Sequence, residues 1–246
     1  MILKIRGIQS RRMPLDDAIE YLSSMKPDPD EILVFPEKFI TSKITGKDMD
    51  RILDSIKFNN TLILGSLSYE DRFLFNRTFI IKDKIVTGWQ DKINLYRAES
   101  AKYTPGNELK IFDMGDYRAG ILVCYDLDFP DYARMLFRKH CDIIFNPSLI
   151  RKDFHREWHW YVKTRSLENR IPVVSINSIS DDFMGDSIIA YPHKEEGGVR
   201  LDIIEDKNDD ITCTMDTGAY ATSREERLRE ENIMMEHFIN FQRVHS

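Results

Sequence analysis

Apolar residues run almost unbroken through Glu31-Ile32-Leu33-Val34-Phe35 and again through Thr61-Leu62-Ile63-Leu64-Gly65. Between them they thin to Met49, Ile52, Leu53 and Ile56, the three-and-four spacing of a single helical face. Upstream, Ile5 to Gln9 reads as a strand, and Leu15, Ile19, Leu22 and Met25 mark another amphipathic helix. The predicted order is β-α-β-α-β, with strands apolar on both faces. Such strands belong to a sheet buried by helices, so the fold class is α/β.

The middle of the chain changes rhythm. Arg77 to Ile81 and Ile85 to Trp89 flank the polar turn Lys82-Asp83-Lys84, which predicts an antiparallel hairpin. Leu109 to Phe112 and Arg118 to Val123 read as strands, followed by a helix from Pro130 to Lys139 and a strand at Ile143 to Phe145. A helix over Trp158 to Asn169 and a strand at Val173 to Ile176 come next, then three hairpin-like strands at Ser187–Tyr191, Arg200–Ile204 and Ile211–Met215. From Ser223 onward the pattern is helical. Ser223 and Glu226 have capping-box spacing, and Leu228, Ile233, Phe238 and Phe241 form an irregular apolar face. That helical arm either packs on its own domain or crosses to another subunit. No linker or repeat divides the 246 residues, so a single domain over 1–246 is expected.

Composition narrows the setting. No apolar run approaches the roughly 20 residues of a membrane helix, and Met1-Ile2-Leu3-Lys4-Ile5-Arg6 is too short and too charged for a secretory signal. Three cysteines without metal-type spacing argue for a reducing compartment, and against both disulfides and zinc. The expectation is a soluble cytoplasmic protein without a metal. A net charge of −6 gives no reason to expect nucleic acid or an acidic membrane as partner.

Three polar side chains stand directly after apolar strands, where α/β sheets place their sites. Glu37 follows Val34-Phe35-Pro36, Lys92 follows the hairpin in Gln90-Asp91-Lys92, and Cys124 ends Ala119-Gly120-Ile121-Leu122-Val123. Taken singly each has an ordinary explanation: a solvated strand end, or one more buried free cysteine. Together they make consistent chemistry. A carboxylate can take the thiol proton, and an ammonium favours the thiolate and later the oxyanion that forms when sulfur attacks a carbonyl. No histidine is required, and none of the six has the context of a cysteine-protease base. His155 and His159 have the i, i+4 spacing of a metal pair, but no thiolate or carboxylate accompanies them at matching spacing. Cys141 and Cys213 read as ordinary core cysteines.

At these residues the chain resembles the nitrilase superfamily of carbon–nitrogen hydrolases. Phe35-Pro36-Glu37 is similar to its glutamate motif and Asp91-Lys92-Ile93-Asn94-Leu95 to its lysine motif. The run from Cys124 to Asp131 is similar to its cysteine elbow, and the likeness extends over roughly residues 3 to 227. The resemblance implies a four-layer α-β-β-α sandwich that assembles into homodimers or larger homo-oligomers. It also implies a Glu37-Lys92-Cys124 triad, Glu99 as a second glutamate holding Lys92, and the Tyr125 backbone N–H as an oxyanion donor. Asn146-Pro147-Ser148 resembles a segment that lines the substrate pocket, although Ser148 reads equally well as a turn residue. No cofactor is implied.

Departures from the family pattern bear on the substrate. The family often has histidine where this chain has Asn94, and glutamate where it has Asp131. Several members that bind carboxylated substrates carry arginine three or four residues after the cysteine; here those positions are Leu127 and Asp128. An anionic Asp128 disfavours a substrate carboxylate, unless it turns away to pair with an arginine such as Arg134. The expected reaction is hydrolysis of a small amide through a thioester, with a nitrile or an N-carbamoyl compound as alternative substrate. The other readings are a non-catalytic binding member of the fold and a soluble acyltransferase.

Overall fold

The predicted alternation resolves into two sheets stacked face to face. In the computed structural model, which describes residues 1–207 and 209–231, β1 (Ile2–Gly7) leads through α1 (Leu15–Ser24) to β2 (Glu31–Val34), β3 (Lys43–Ile44) and α2 (Gly46–Ser55). The middle comprises β4 (Thr61–Asp71), β5 (Phe73–Lys82), β6 (Ile85–Asp91), β7 (Ile111–Asp113) and β8 (Arg118–Ile121). Then come α3 (Pro130–Arg138), β9 (Ile143–Ser148), α4 (His155–Asn169) and β10 (Val173–Asn177). The chain ends its described part with β11 (Ser187–Glu195), β12 (Gly198–Asp206), β13 (Ile211–Asp216) and α5 (Thr217–Glu230).

One sheet runs in the order β13-β1-β2-β4-β5-β6, with β3 paired to the far end of β4; the other runs β12-β11-β10-β9-β8-β7. In each, three parallel strands (β1, β2, β4 and β8, β9, β10) are flanked by antiparallel ones. Strand alternation then assigns the layers. Ile32, Val34 and Ile63 face Ile121, Phe145 and Val174 across the space between the sheets. Leu33, Leu62 and Leu64 face the other way, onto Leu22, Met49 and Ile52 of α1 and α2. On the far side Ile144 and Val173 receive Leu136, Phe137 and Val162 of α3 and α4. The result is the α-β-β-α sandwich. Each fully buried Leu, Ile or Phe in it contributes about 1.5–3 kcal/mol.

Among the boundaries that differ from expectation, three bear on how the elements pack. β1 begins at Ile2 and leaves its ladder at Gly7, because β13 pairs with it from Ile2↔Asp216 to Gly7↔Ile211. Gln9, expected in the strand, instead holds Ser187 through its side-chain carbonyl. β4 continues far beyond Gly65, since its polar second half pairs with β5 from Ser66↔Thr78 to Asp71↔Phe73. The last helix starts at Thr217, capped by the Asp216 carboxylate accepting from the Gly218 N–H (2.9 Å), so Ser223 lies buried inside it and caps nothing. Glu226 accepts from Lys194 instead (2.7 Å). α5 packs on its own domain through buried Tyr220 and through Arg224, which donates to the Cys141 carbonyl (2.9 Å). Ile233, Phe238 and Phe241 lie outside the described residues. Among the described residues no helix is long and apolar enough to cross a membrane.

Candidate active site

Glu37 leaves β2 along the seam between the sheets. The Phe35 N–H donates to Ile63 O (2.9 Å) and the Lys38 N–H to Ser66 O (2.7 Å), both in β4 of the same sheet, while the Glu37 N–H donates across the seam to Ser148 O of β9 (3.2 Å). Gly65 makes this seat possible. It occupies a bulge in β4 at φ +56°, and a Cβ there would lie 2.1 Å from the Pro36 carbonyl oxygen. Lys92 is fixed at the end of β6 by its N–H to Asn76 O and by its carbonyl, which accepts from the Gly106 N–H, each at 2.8 Å. Cys124 follows β8, whose extension is held by the Leu122 N–H on Phe145 O (3.0 Å). The thiol residue has φ +45° and opens a 3-10 turn, Cys124–Asp128, that runs into α3 with Pro130 at its start. Left-handed backbone at a non-glycine residue costs about 1 kcal/mol or more and persists only where neighbours hold it. A strained strand-to-helix turn of this kind is how a nucleophile is presented at a sheet end.

The side chains meet. Lys92 Nζ lies 3.0 Å from Glu37 Oε1 and 2.8 Å from Glu99 Oε2, buried with only 2% of its surface exposed. Asn76 Nδ2 donates to Glu37 Oε1 (2.7 Å) and to Glu99 Oε1 (3.4 Å), and the Lys38 ammonium holds Glu99 Oε1 from the other side. The Cys124 thiol lies within the electrostatic reach of Glu37, Lys92 and the Leu149 N–H. Burial and the adjacent Glu37 carboxylate push this thiol well above its usual range, against the pull of Lys92 and the Leu149 N–H. It is therefore protonated at rest, and becomes a thiolate only if a base accepts its proton. Burial acts to discharge Lys92, but Glu37, Cys124 and Glu99 together raise its pKa, so it remains an ammonium. Glu99 is pulled down to about 2 by Lys92 and then Lys38, despite the burial that opposes this.

The elbow's other residues divide their work. The Tyr125 N–H belongs to the first turn of the 3-10 helix, where N–H groups lack partners within the helix. Tyr125's ring packs edge-on between Tyr96 and Phe129 (centroids 5.0 and 5.2 Å). Asp128 is half-buried, and its Oδ1 is enclosed without a hydrogen-bond partner. Burial raises its pKa while Arg165 and Lys92 oppose. Arg134 turns instead toward Glu231 (4.0 Å), and the arginine beside Asp128 is Arg165, which donates to the Leu127 and Asp128 carbonyls (3.0 and 2.7 Å). The Ser148 hydroxyl is fully buried, donating to Asn146 Oδ1 (2.6 Å); what Ser148 offers Glu37 is its carbonyl. His155 and His159 do have carboxylates nearby, Asp186 (3.4 Å) and Glu205 (3.3 Å) respectively, yet no cluster among the described residues is arranged to hold a metal ion.

Sequence reasoning missed Asn76, Lys38 and Asp126. Asn76 left a trace, as a polar residue at an inward position of an otherwise packed strand. Lys38 stood in plain view beside Glu37. Asp126 is 1% exposed and accepts the backbone N–H groups of Ile93 (3.2 Å), Asn94 (2.7 Å) and Val123 (3.2 Å), which ties the lysine loop to the cysteine elbow. The Asn94 side chain, at the family's histidine position, joins the same carboxylate (3.2 Å). Burial lifts Asp126 to about 6 against those donors, so it is ionised at neutral pH. Asp126→Ala strands three backbone N–H groups, one buried and two part-buried, and is expected to cost about 3 kcal/mol, read as a lower urea midpoint with an unchanged slope.

Comparison with known proteins agrees with this geometry. The family model "Carbon-nitrogen hydrolase" matches residues 15–195, well over half of the chain. A Pyrococcus abyssi protein named "Nitrilase" is 25% identical over 171 residues, covering 68% of this chain but only 63% of the relative's own length. A Schizosaccharomyces pombe "Probable nitrilase" is 23% identical over 238 residues, covering 88% of this chain and 86% of the relative. Among solved structures, Saccharomyces cerevisiae Nit3, described as a member of branch 10 of the nitrilase superfamily, superposes with a TM-score of 0.74 at 20% identity over 96% of both chains. Fold, motif order and family model agree: the chain belongs to the carbon–nitrogen hydrolase family.

Proposed function

We propose that this protein is an amidase-type hydrolase of non-peptide C–N bonds in which Glu37, Lys92 and Cys124 form the catalytic triad. The observation that carries the reading is a buried ammonium touching two carboxylates, one of which lies beside a buried thiol. Glu37 takes the Cys124 proton as sulfur attacks the amide carbon. The negative oxygen that forms is held by Lys92 and the Tyr125 N–H, while Glu99 keeps Lys92 in place. The proton on Glu37 passes to the departing nitrogen, and ammonia or an amine leaves a thioester. Glu37 then deprotonates water, which attacks the thioester; the thiolate is expelled and reprotonated, and the acid is released. Every step runs on the chain's own side chains, without metal or cofactor. The working unit we propose is a single domain that assembles as a homo-oligomer.

Asp128 sets the substrate class in this proposal. An enclosed carboxylate oxygen without a donor disfavours a second carboxylate and accepts an N–H or an ammonium. The substrate is therefore an uncharged or amine-bearing small amide. Ser148 contributes to the pocket through its backbone. The test is an ammonia-release screen over aliphatic amides, amine-bearing amides, nitriles and N-carbamoyl amino acids, with intact-mass detection of the adduct on Cys124. Simple or amine-bearing amides are expected to lead. Asp128→Asn is expected to narrow their advantage over ω-amides of dicarboxylates by about tenfold. Faster turnover of N-carbamoyl amino acids or ω-amides by the unaltered enzyme would sink the assignment of Asp128.

A further inference from the structure

Beside the triad lies a pocket of about 280 Å3 lined by Arg12, Lys38, Lys102, Ser68, Glu99 and Tyr103, with Ile40, Thr41 and Ala98 completing its wall. Cys124, Tyr125 and Asp128 are not among its lining residues. Three cations therefore face one carboxylate, in a chain whose net charge is −6. That carboxylate is already shared, since Glu99 also receives Lys92 (2.8 Å), Asn76 (3.4 Å) and the Tyr96 N–H (2.9 Å).

Lys38 is paired with Glu99, but the other two cations are held beside it without a carboxylate of their own. The Lys38 and Lys102 ammonium groups sit 4.7 and 5.0 Å from the centroid of the same Tyr103 ring. Tyr103 is fixed in turn by a hydrogen bond between its hydroxyl and Ser68 Oγ (2.6 Å). Arg12 Nε donates to the Lys38 carbonyl (3.1 Å), which anchors the guanidinium at the rim. Among the described residues neither Arg12 nor Lys102 has a carboxylate partner. Like charges gathered this closely repel, and a small anion placed among them removes that repulsion.

We propose that this pocket binds a small oxyanion, a carboxylate or phosphate group, and that Lys38 conveys its presence to the active site through Glu99. An anion between Arg12 and Lys102 draws the Lys38 ammonium outward. Glu99 then leans its charge on Lys92, and the positive field at Cys124 weakens. With Lys38 in place the cluster of two carboxylates and two ammonium groups is neutral; with Lys38 drawn toward the anion, the Glu37, Glu99 and Lys92 left around Cys124 carry a net −1, where a thiolate and an oxyanion are both harder to form. Occupancy therefore slows the chemical step without displacing the amide. This last clause rests on the proposed hydrolase reading, whereas binding does not.

The experiment is calorimetric titration of the full chain at low ionic strength with inorganic phosphate and, separately, with succinate, repeated on the Arg12→Ala/Lys102→Ala variant. Turnover of a simple amide is followed in parallel. One saturable site is expected, with affinity about tenfold or more lower in the variant, and the preferred anion shows which oxyanion the site takes. In the unaltered protein saturating anion is expected to lower kcat with little change in KM. No saturable heat from either anion, or equal affinity in the variant, overturns the proposal. So does a rise in KM at constant kcat, which would make the pocket part of the substrate site. Saturable binding that needs Arg12 and Lys102, in a protein that hydrolyses no amide, upholds the site and overturns the hydrolase reading instead.

Discussion

Cys124→Ala is expected to abolish ammonia release, by at least about a thousandfold, while circular dichroism and the unfolding midpoint stay close to those of the unaltered protein. The size of the loss follows from the route. Removing a covalent nucleophile eliminates the thioester path, and what survives is only binding and oxyanion stabilisation acting on bound water. The fold survives because the change is small: one buried sulfur is lost, and the backbone at φ +45° was equally strained with cysteine present. Intact mass after incubation with substrate should show no adduct. A variant that kept more than about a tenth of the activity would mean that sulfur is not the nucleophile.

Lys92→Met has the larger structural consequence. The methionine stem fills most of the space, but Glu37 and Glu99 lose the ammonium between them in a site that is 2–15% exposed. Leaving a buried charge without its partner costs about 3–5 kcal/mol, so a lower denaturation midpoint is expected as well as a turnover loss of at least about a hundredfold. The sign of the pH dependence adds a second reading. Glu99 in the native protein titrates at about 2, below its ordinary 4.5, so it stabilises the fold above 4.5 and that contribution fades as pH falls toward 2. Without Lys92 the folded pKa rises and the fading begins at higher pH; Lys38 preserves part of the effect. Unfolding free energies across pH 2 to 7 that ran parallel for the two proteins would refute the pairing.

The continuous apolar runs at Ile32–Phe35 and Leu62–Leu64 made the buried parallel strands legible, because only a sheet covered on both faces needs them. Glu37, Lys92 and Cys124 were legible for a related reason: a polar group directly after such a strand interrupts a strong pattern. What supports them was harder to read. Asp126 works through three backbone donors from two separated segments, and nothing in the chain's spacing announces that those segments meet. The second half of β4 was missed because its strand character comes from pairing with β5, while its own residues, Ser66 to Asp71, are mostly polar. The start of α5 was misplaced because Asp216 closes a strand and caps a helix at once, and the Ser223–Glu226 spacing imitates a beginning in mid-helix.

Glu37 and Lys92 leave strands of one sheet and Cys124 leaves a strand of the other, and the Glu37 N–H reaches across to Ser148 where the sheets meet. Neither half of the sandwich is therefore an enzyme in miniature. One carries an acid and an amine, the other a thiol, and the proposed chemistry exists only along the line where the two are joined.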